Sequence, residues 1–102
     1  MDFSLSIALD PPTATLVANG ELDIFTAQEV SRRLGELITA GCTRVLVDLG
    51  GVTFADASAL GVFARARAEL VARQGSIGFL AASPPFRRVC RLTGLDTVFD
   101  LN

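Results

Sequence analysis

Residues 45–61 read VLVDLGGVTFADASALG, and this stretch decides the fold. The nearly continuous apolar run Val45–Leu49 is typical of a strand that is buried on both faces, as in parallel sheets. The glycine pair Gly50-Gly51 is expected to end that strand. A helical pattern then runs from about Ala59 to Arg73. The stretch therefore predicts a buried strand, a turn and a helix, in that order.

The residues after this unit predict another strand and another helix. Gly75 is expected to end the preceding helix, and Ile77–Ala81 is again a short apolar run. The two strands and the helix between them should form a right-handed parallel crossover. Ser83 is expected to cap a third helix that ends at Thr93-Gly94. Leu95–Phe99 is predicted as a short closing strand.

The residues before this unit predict a hairpin followed by a loop. Leu5–Leu9 and Thr15–Ala18 have the pattern of two short strands, and two prolines lie between them. Proline cannot donate to a strand ladder, so this segment is expected to be a turn. Gly20–Phe25 is predicted as a loop that leads into the first helix.

The first helix is predicted over residues 27–40 from apolar residues at helical spacing. Thr26 is a plausible N-cap, because Glu29 follows it at capping-box spacing. The predicted order of elements is thus β-β-α-β-α-β-α, with or without a last strand. Such alternation indicates an α/β fold. We expect one domain over residues 1–102, with a central mixed sheet of four or five strands and about three helices packed mainly on one face.

The composition argues against several classes of function. The chain has no histidine and no lysine, so all nine basic residues are arginine. This excludes Ser/His/Asp catalysis, histidine metal sites, P-loops and Schiff-base chemistry. The net charge of −2 does not favour nucleic-acid binding. We therefore expect no catalytic residue, metal or cofactor, and a small enzyme is a weak hypothesis.

The two cysteines and the hydrophobic pattern indicate a cytoplasmic protein. Cys42 and Cys90 show no CxxC spacing, which fits a reduced compartment, and Cys90 is interpreted as a buried apolar residue. Phe54 and Phe63 are likewise interpreted as core residues. The sequence shows neither a signal-peptide pattern nor a run of about 18 apolar residues, so no membrane insertion is expected.

Ser58 is the candidate functional residue, because it lies where the second helix begins. Two interpretations of this position remain open. Ser58 or Asp56 could simply cap the helix by accepting hydrogen bonds from its first amides. Alternatively, Ser58 could be phosphorylated, since a helix N-terminus favours negative charge and the modification adds about −1.5 to −2 charges.

Three separate stretches, in order, carry a resemblance to a known family. They are Gly20–Asp23 followed by Thr26-Ala27, then Leu49–Gly61, and finally Arg88 with Leu92–Leu95 and Phe99. Together they resemble the STAS domain, specifically that of the bacterial anti-sigma factor antagonists, over about residues 4–99. The family's usual core for the second stretch is Asp-Ser-Ser-Gly-Leu-Gly. Ala57 and Ala59 replace a serine and the first glycine of that core.

The resemblance implies a partner switch that regulates transcription. An unphosphorylated antagonist binds an anti-sigma factor that is also a serine kinase, and this frees the sigma factor. The kinase then phosphorylates a serine at the start of the second helix, which abolishes binding, and a metal-dependent serine phosphatase resets the switch. By position in the motif this serine is Ser58. The implied partner-binding residues are Asp23, Thr26, Asp56, Ala57, Ala59, Leu60 and Gly61, with Ala59 and Leu60 expected to form an apolar patch.

Other interpretations of these residues stay open. Asp23 could be a polar turn residue. Asp56 could brace its loop or could steer the magnesium and phosphate bound to the kinase. The whole chain could also be a non-switching STAS scaffold, or a subunit of a stress-signalling or transport complex. Incubation with ATP and the cognate kinase separates this alternative from the phosphorylation switch.

Overall fold

Strands and helices alternate along residues 3–101, the part of the chain that the computed structural model describes. In chain order the elements are β1 (Ser4–Asp10), β2 (Thr13–Leu22), α1 (Ile24–Thr39), β3 (Arg44–Ala55), α2 (Ala57–Ala72), β4 (Ser76–Ala82), α3 (Pro84–Thr93) and α4 (Leu95–Val98). None of these helices is long and apolar enough to cross a membrane.

The strands form one mixed sheet in the order β1-β2-β3-β4. β1 and β2 are antiparallel, whereas β2 with β3 and β3 with β4 are parallel. Alternate residues of β3, such as Val45 and Val47, are fully buried, while those between them are partly or fully exposed, so the prediction that this strand is buried on both faces is wrong. Apolar residues of α1, α2 and α3 join these strand residues in one core. The predicted α/β fold with a mixed sheet is thus confirmed.

Strand β3 does not end at the glycine pair, so the predicted break at Gly50-Gly51 is wrong. The strand continues to Ala55, and Gly51 pairs with Asn19 of β2. A Cβ atom at Gly51 would overlap the side-chain amide of Asn19. Glycine therefore leaves room for the Asn19 side chain across the ladder, where the sequence pattern indicated a turn. The loop predicted over Gly20–Phe25 is wrong for a related reason, because β2 extends through it to Leu22.

The end of the chain is helical, so the predicted strand Leu95–Phe99 is also wrong. Gly94 takes a left-handed conformation with φ of 78° and joins α3 directly to α4. Phe99 then packs into the core, with its ring 5.1 Å from that of Phe79. Ser83 is the N-cap residue of α3 as predicted, but its buried hydroxyl makes no hydrogen bond within the described residues.

The core is partly aromatic, and its membership corrects one prediction. The ring of Phe63 packs edge-on against those of Phe79 and Phe86, with centroids 5.4 and 5.8 Å away. Cys90 is fully buried beside them, as predicted, and burial raises its pKa to about 11. Phe54, in contrast, is 46% exposed and lies near the end of β3, so it is not a core residue.

Candidate functional site

Two helices begin side by side at one edge of the sheet. β2 ends at Leu22 and β3 ends at Ala55, and these two residues are register partners in the parallel pair. The amide of Asp56 also donates a hydrogen bond of 3.1 Å to the carbonyl oxygen of Leu22. Asp23 and Asp56, the next residues of each segment, therefore start α1 and α2 at the carboxyl ends of adjacent strands. This is the edge at which open α/β sheets usually bind ligands and partners.

Asp23, rather than Thr26, is the N-cap of α1, which corrects the prediction for Thr26. The Asp23 carboxylate accepts hydrogen bonds of 2.9 Å from the amides of Phe25 and Thr26. The Thr26 hydroxyl in turn accepts from the Asp23 amide at 2.9 Å and donates to the carbonyl oxygen of Glu21 at 2.7 Å. Thr26 thus supplies the second hydrogen bond of this capping box, with Asp23 as the N-cap. Glu29, which the sequence pattern paired with Thr26, is not part of it.

The amides also set the electrostatics of Asp23. The hydrogen bond from the Thr26 amide, assisted by that from Phe25, lowers the pKa of the Asp23 carboxyl below its ordinary value of 3.8. The carboxylate is therefore charged at neutral pH and is held in place by its own helix.

Asp56 is the N-cap of α2, and Ser58 is the second residue of that helix. The Asp56 carboxylate accepts a hydrogen bond of 3.0 Å from the Ser58 amide and a further one from the Ser58 hydroxyl. Of the two capping alternatives, the one in which Asp56 caps is confirmed. Ser58 itself is half-buried, and its hydroxyl is oriented by the neighbouring carboxylate.

The remaining residues that the motif singled out divide between surface and core. Ala57 is exposed and Gly61 is half-buried, but Ala59 and Leu60 are only 1% and 3% exposed and pack in the core. The prediction that Ala59 and Leu60 form an exposed apolar patch is therefore wrong, because this side of α2 faces the sheet.

Three other apolar side chains are exposed at this edge. Ile24 and Phe25, the first residues of α1, are 57% and 77% exposed, and Phe54 is 46% exposed. Sequence reasoning missed them because it assigned Ile24 and Phe25 to a loop and Phe54 to the core. The signal that could have identified the first two is their position directly after the capping aspartate.

Ser58 lies in a groove between α1 and α2. Four residues of α1 and three of α2 line a volume of about 280 Å³: Ile24, Ala27, Gln28, Ser31, Ser58, Val62 and Arg65. Within residues 3–101, no group of three or more acidic, cysteine or histidine side chains is placed to hold a metal ion. The site thus offers an oriented hydroxyl, two capping carboxylates and an apolar rim, which suits protein binding and modification of the hydroxyl.

Comparisons with known proteins agree with this geometry. Residues 5–101 match the family model described as "Mlab, STAS domain". The chain is 30% identical over 98 residues to the anti-sigma-F factor antagonist RsfB of Mycobacterium tuberculosis, a match that covers 96% of this chain and 80% of that protein.

Solved structures share the fold at lower identity. An anti-sigma factor antagonist from Mycobacterium paratuberculosis superimposes with a TM-score of 0.84 at 24% identity, covering 96% of this chain and 83% of its own. The antagonist SpoIIAA has been solved unphosphorylated and, from Bacillus, phosphorylated. The two forms superimpose with TM-scores of 0.82 and 0.76, both at 24% identity and over 92% of this chain, covering 84% and 86% of their own chains.

Proposed function

The chain belongs to the STAS domain family, and we propose that it is an anti-sigma factor antagonist controlled by phosphorylation of Ser58. The observation that carries this proposal is the Ser58 hydroxyl, which lies at the α2 N-terminus, hydrogen-bonded to Asp56 and beside the first turn of α1. The 30% identity with RsfB supports the antagonist role. The existence of a phosphorylated SpoIIAA supports the switch.

In the unmodified state, the antagonist binds an anti-sigma factor that is also a serine kinase. The contact surface consists of the two helix starts, with Asp23, Thr26 and Asp56 at its polar centre and the exposed Ala57 beside them. The exposed apolar side chains Ile24 and Phe25 supply area that is buried on docking. Aromatic side chains at such positions typically carry much of the binding energy of an interface.

Phosphorylation transfers the γ-phosphoryl group of ATP from the kinase to the Ser58 oxygen. The serine oxygen bonds to the γ-phosphorus as the bond between that phosphorus and ADP breaks. ADP leaves, and the hydroxyl proton passes to solvent. Asp56 orients the hydroxyl for this step, because its carboxylate accepts a hydrogen bond from the Ser58 hydroxyl. Ala57, which stands where the family often has a second serine, has no hydroxyl that could compete. The methyl group of Ala59 does not screen the acceptor, since Ala59 is buried.

The added phosphate stops binding through its charge rather than by unfolding the domain. Negative charge at a helix N-terminus is favourable, so α2 is expected to persist. A docked partner would have to cover a dianion at the start of α2 and remove much of its water, and taking a charge out of water costs several kcal/mol even where it is paired. A cost of about that size removes much of a micromolar affinity. A metal-dependent serine phosphatase in the cytoplasm then restores the binding form.

The proposal is tested with the anti-sigma factor kinases of the source organism. Each purified kinase is mixed with the chain, first without nucleotide to measure binding by calorimetry and then with ATP. Mass spectrometry should locate one phosphate on Ser58, and the Ser58→Ala variant should bind yet stay unmodified. Binding without phosphorylation by any of the kinases would favour a non-switching scaffold, and a phosphate on Ser83 or another residue would contradict the assignment.

A further inference from the structure

Arg65 is a cation without an ion pair in the described part of the chain, and it lies in the groove that contains Ser58. Both residues line the groove between α1 and α2, and Arg65 is the one charged side chain among its described lining residues. Three other arginines in the described chain form surface ion pairs with glutamates, whereas Arg65 has no ion pair or hydrogen bond within residues 3–101. Its guanidinium is therefore available to an anionic group placed in the groove.

The helix geometry directs Arg65 toward Ser58. Arg65 follows Ser58 by seven residues, so both lie on the same face of α2, two turns apart and separated by about 10.5 Å of rise. The arginine side chain folds back along the helix, and a Cβ atom at Gly61 would lie 3.7 Å from Arg65 Nη1. Gly61 is three residues from Ser58, which leaves about 4.5 Å of rise. The guanidinium thus reaches back along α2 over most of the axial distance between Arg65 and Ser58.

Glycine at position 61 keeps this path open. Any longer side chain there would occupy the space between the guanidinium and Ser58 on the same helix face. The groove wall opposite comes from α1 and carries Gln28 and Ser31, which are uncharged. These lining residues thus carry no carboxylate. Glu69 lines an adjacent cavity together with Arg65, but its carboxylate lies 3.8 Å from the Arg73 guanidinium and pairs with it.

Asp56 determines which way a phosphate on Ser58 must point. The unmodified hydroxyl donates to the Asp56 carboxylate. A phosphate ester has no hydroxyl hydrogen at that oxygen, and its negative charge would repel the same carboxylate. Because serine has a choice of staggered rotamers, the modified side chain can leave Asp56 and turn into the groove.

We propose that Arg65 binds the phosphate of phosphorylated Ser58 within the same chain. This inference rests on the proposed function in that it takes Ser58 as the phosphorylated residue. A guanidinium can donate two parallel hydrogen bonds to a phosphate, which a point charge cannot. The ion pair holds the modified side chain in the α1–α2 groove, where it covers part of the surface proposed to bind the kinase.

The test places phosphoserine at position 58 during synthesis, by genetic code expansion, so no kinase is needed. The pKa of the phosphate, ordinarily about 6, is followed by ³¹P NMR in pH titrations of the full chain. The groups near it are Asp56 on the cap, Asp23 at the start of α1 and Arg65. Because Asp56 and Asp23 are unchanged in every variant, a difference between variants reports the arginine.

Arg65→Gln should raise the phosphate pKa by roughly 0.3–0.7 unit, the shift expected from losing a partly exposed ion pair. Arg67→Gln is the matched control. Arg67 is also an exposed arginine of α2, but it lies on the opposite side of the helix and lines a different cavity. An unchanged pKa in Arg65→Gln, or an equal shift in both variants, would overturn the proposal.

The kinase-binding measurement on the unmodified chain tests the proposed function separately. If no kinase phosphorylates Ser58 but Arg65→Gln still shifts the phosphate pKa, the pairing stands and the antagonist assignment fails. If the kinase modifies Ser58 but the variant leaves the pKa unchanged, the switch stands and the Arg65 inference is wrong.

Discussion

The amide of Asp56 donates a hydrogen bond to the carbonyl oxygen of Leu22, and this bond connects the start of α2 to the end of β2. Asp23 follows Leu22 directly, so the two capping aspartates are held next to each other by the register of the sheet. The proposed binding surface is thus made of two segments that cannot separate without breaking the β2–β3 pairing. Its shape should therefore change little when Ser58 is modified.

A charge-mimicking variant at Ser58 should lose partner binding and keep its fold. Ser58→Asp places a carboxylate in the first turn of α2, where negative charge is favourable by about 0.3–1 kcal/mol. Its circular dichroism spectrum and melting temperature should be close to wild type, while calorimetry should detect no binding to the kinase. Ser58→Ala should bind the kinase permanently. Its fold should persist, because the Asp56 carboxylate can still accept a hydrogen bond from the amide of residue 58. Binding of the kinase by Ser58→Asp with wild-type affinity would contradict the charge mechanism.

The exposed ring of Phe25 should contribute to binding and very little to stability. Phe25 is 77% exposed in the free chain, so Phe25→Ala should leave the melting temperature nearly unchanged. Affinity for the kinase should fall by at least about tenfold, since aromatic side chains at interfaces often contribute more than that. Leu92 is the matched control, because it is 80% exposed near the C-terminal end of α3 and belongs to neither of the two helix starts. Equal losses in Phe25→Ala and Leu92→Ala would argue against the proposed surface.

Two substitutions of Asp56 should separate its structural and functional roles. Asp56→Ala removes the N-cap of α2 and should lower the free energy of unfolding by about 1 kcal/mol. Asparagine caps helices about as well as aspartate, so Asp56→Asn should stay near wild-type stability. Asparagine lacks the charge that orients the hydroxyl. The Asp56→Asn variant should therefore be phosphorylated on Ser58 at a lower initial rate, although its stability is unchanged. Chemical denaturation and a phosphorylation time course measure the two effects; a wild-type rate in Asp56→Asn would limit Asp56 to capping.

The lowered pKa of Asp23 predicts a dependence of stability on acid pH. A carboxyl whose pKa is lower in the folded chain than in the unfolded chain stabilises the fold while it is ionised. This contribution is fully present at pH values well above 3.8, and it is lost as the pH falls below 3.8 through the folded-state pKa. The stability difference between wild type and Asp23→Asn should thus be constant near neutral pH and shrink in strong acid. Urea unfolding from pH 2 to pH 7 tests this, and a difference that grows in acid would show the opposite sign.

Gly75 should be far less replaceable than Gly35. A Cβ atom at Gly75 would overlap the carbonyl group of Thr43, which is backbone and cannot turn aside. Gly75→Ala should therefore destabilise the domain by roughly 1–3 kcal/mol. Gly35 lies inside α1 with no atom within 4 Å of its Cβ position, so Gly35→Ala should stabilise by up to about 1 kcal/mol. Thermal unfolding of both variants measures the contrast, and equal effects would refute the close-approach explanation.

The parts of the fold that local pattern determines were predictable from sequence. The apolar runs Val45–Leu49 and Ile77–Ala81 are strands as predicted, but the burial on both faces that such runs indicate is wrong, since Leu46 is half-buried and Leu80 is 60% exposed. The extension of β3 through Gly51 was not predictable, because it depends on Asn19 lying opposite in another strand. Likewise, Leu95 and Phe99 have an apolar spacing that fits a strand or a helix, and the Phe99–Phe79 contact belongs to the helical form.

The site was predictable in its location but not in its contacts. Ser58 and Asp56 stood out as a helix start, yet only the fold shows that Asp56 caps and Ser58 donates to it. Thr26 and Asp23 are both common N-cap residues, and the end of β2 at Leu22 decides between them. The spacing of Ser58 and Arg65 was visible in the sequence. That Arg65 has no acidic partner within residues 3–101 was not visible, because Glu69, four residues further on, pairs with Arg73 instead.

The parallel pairing of β2 with β3 has a consequence for how the chain acquires its structure during synthesis. Ala14 pairs with Val45, so about thirty residues, including all of α1, must be enclosed before this ladder can close. The β1–β2 hairpin, in contrast, needs only the short turn at Pro11 and Pro12, and hairpins and helices form within microseconds. On the ribosome, the buried face of β2 must therefore wait for residues up to Ala55 to emerge. Ser58 then follows within a few residues, so the phosphoacceptor leaves the exit tunnel just as the central strands become able to pair.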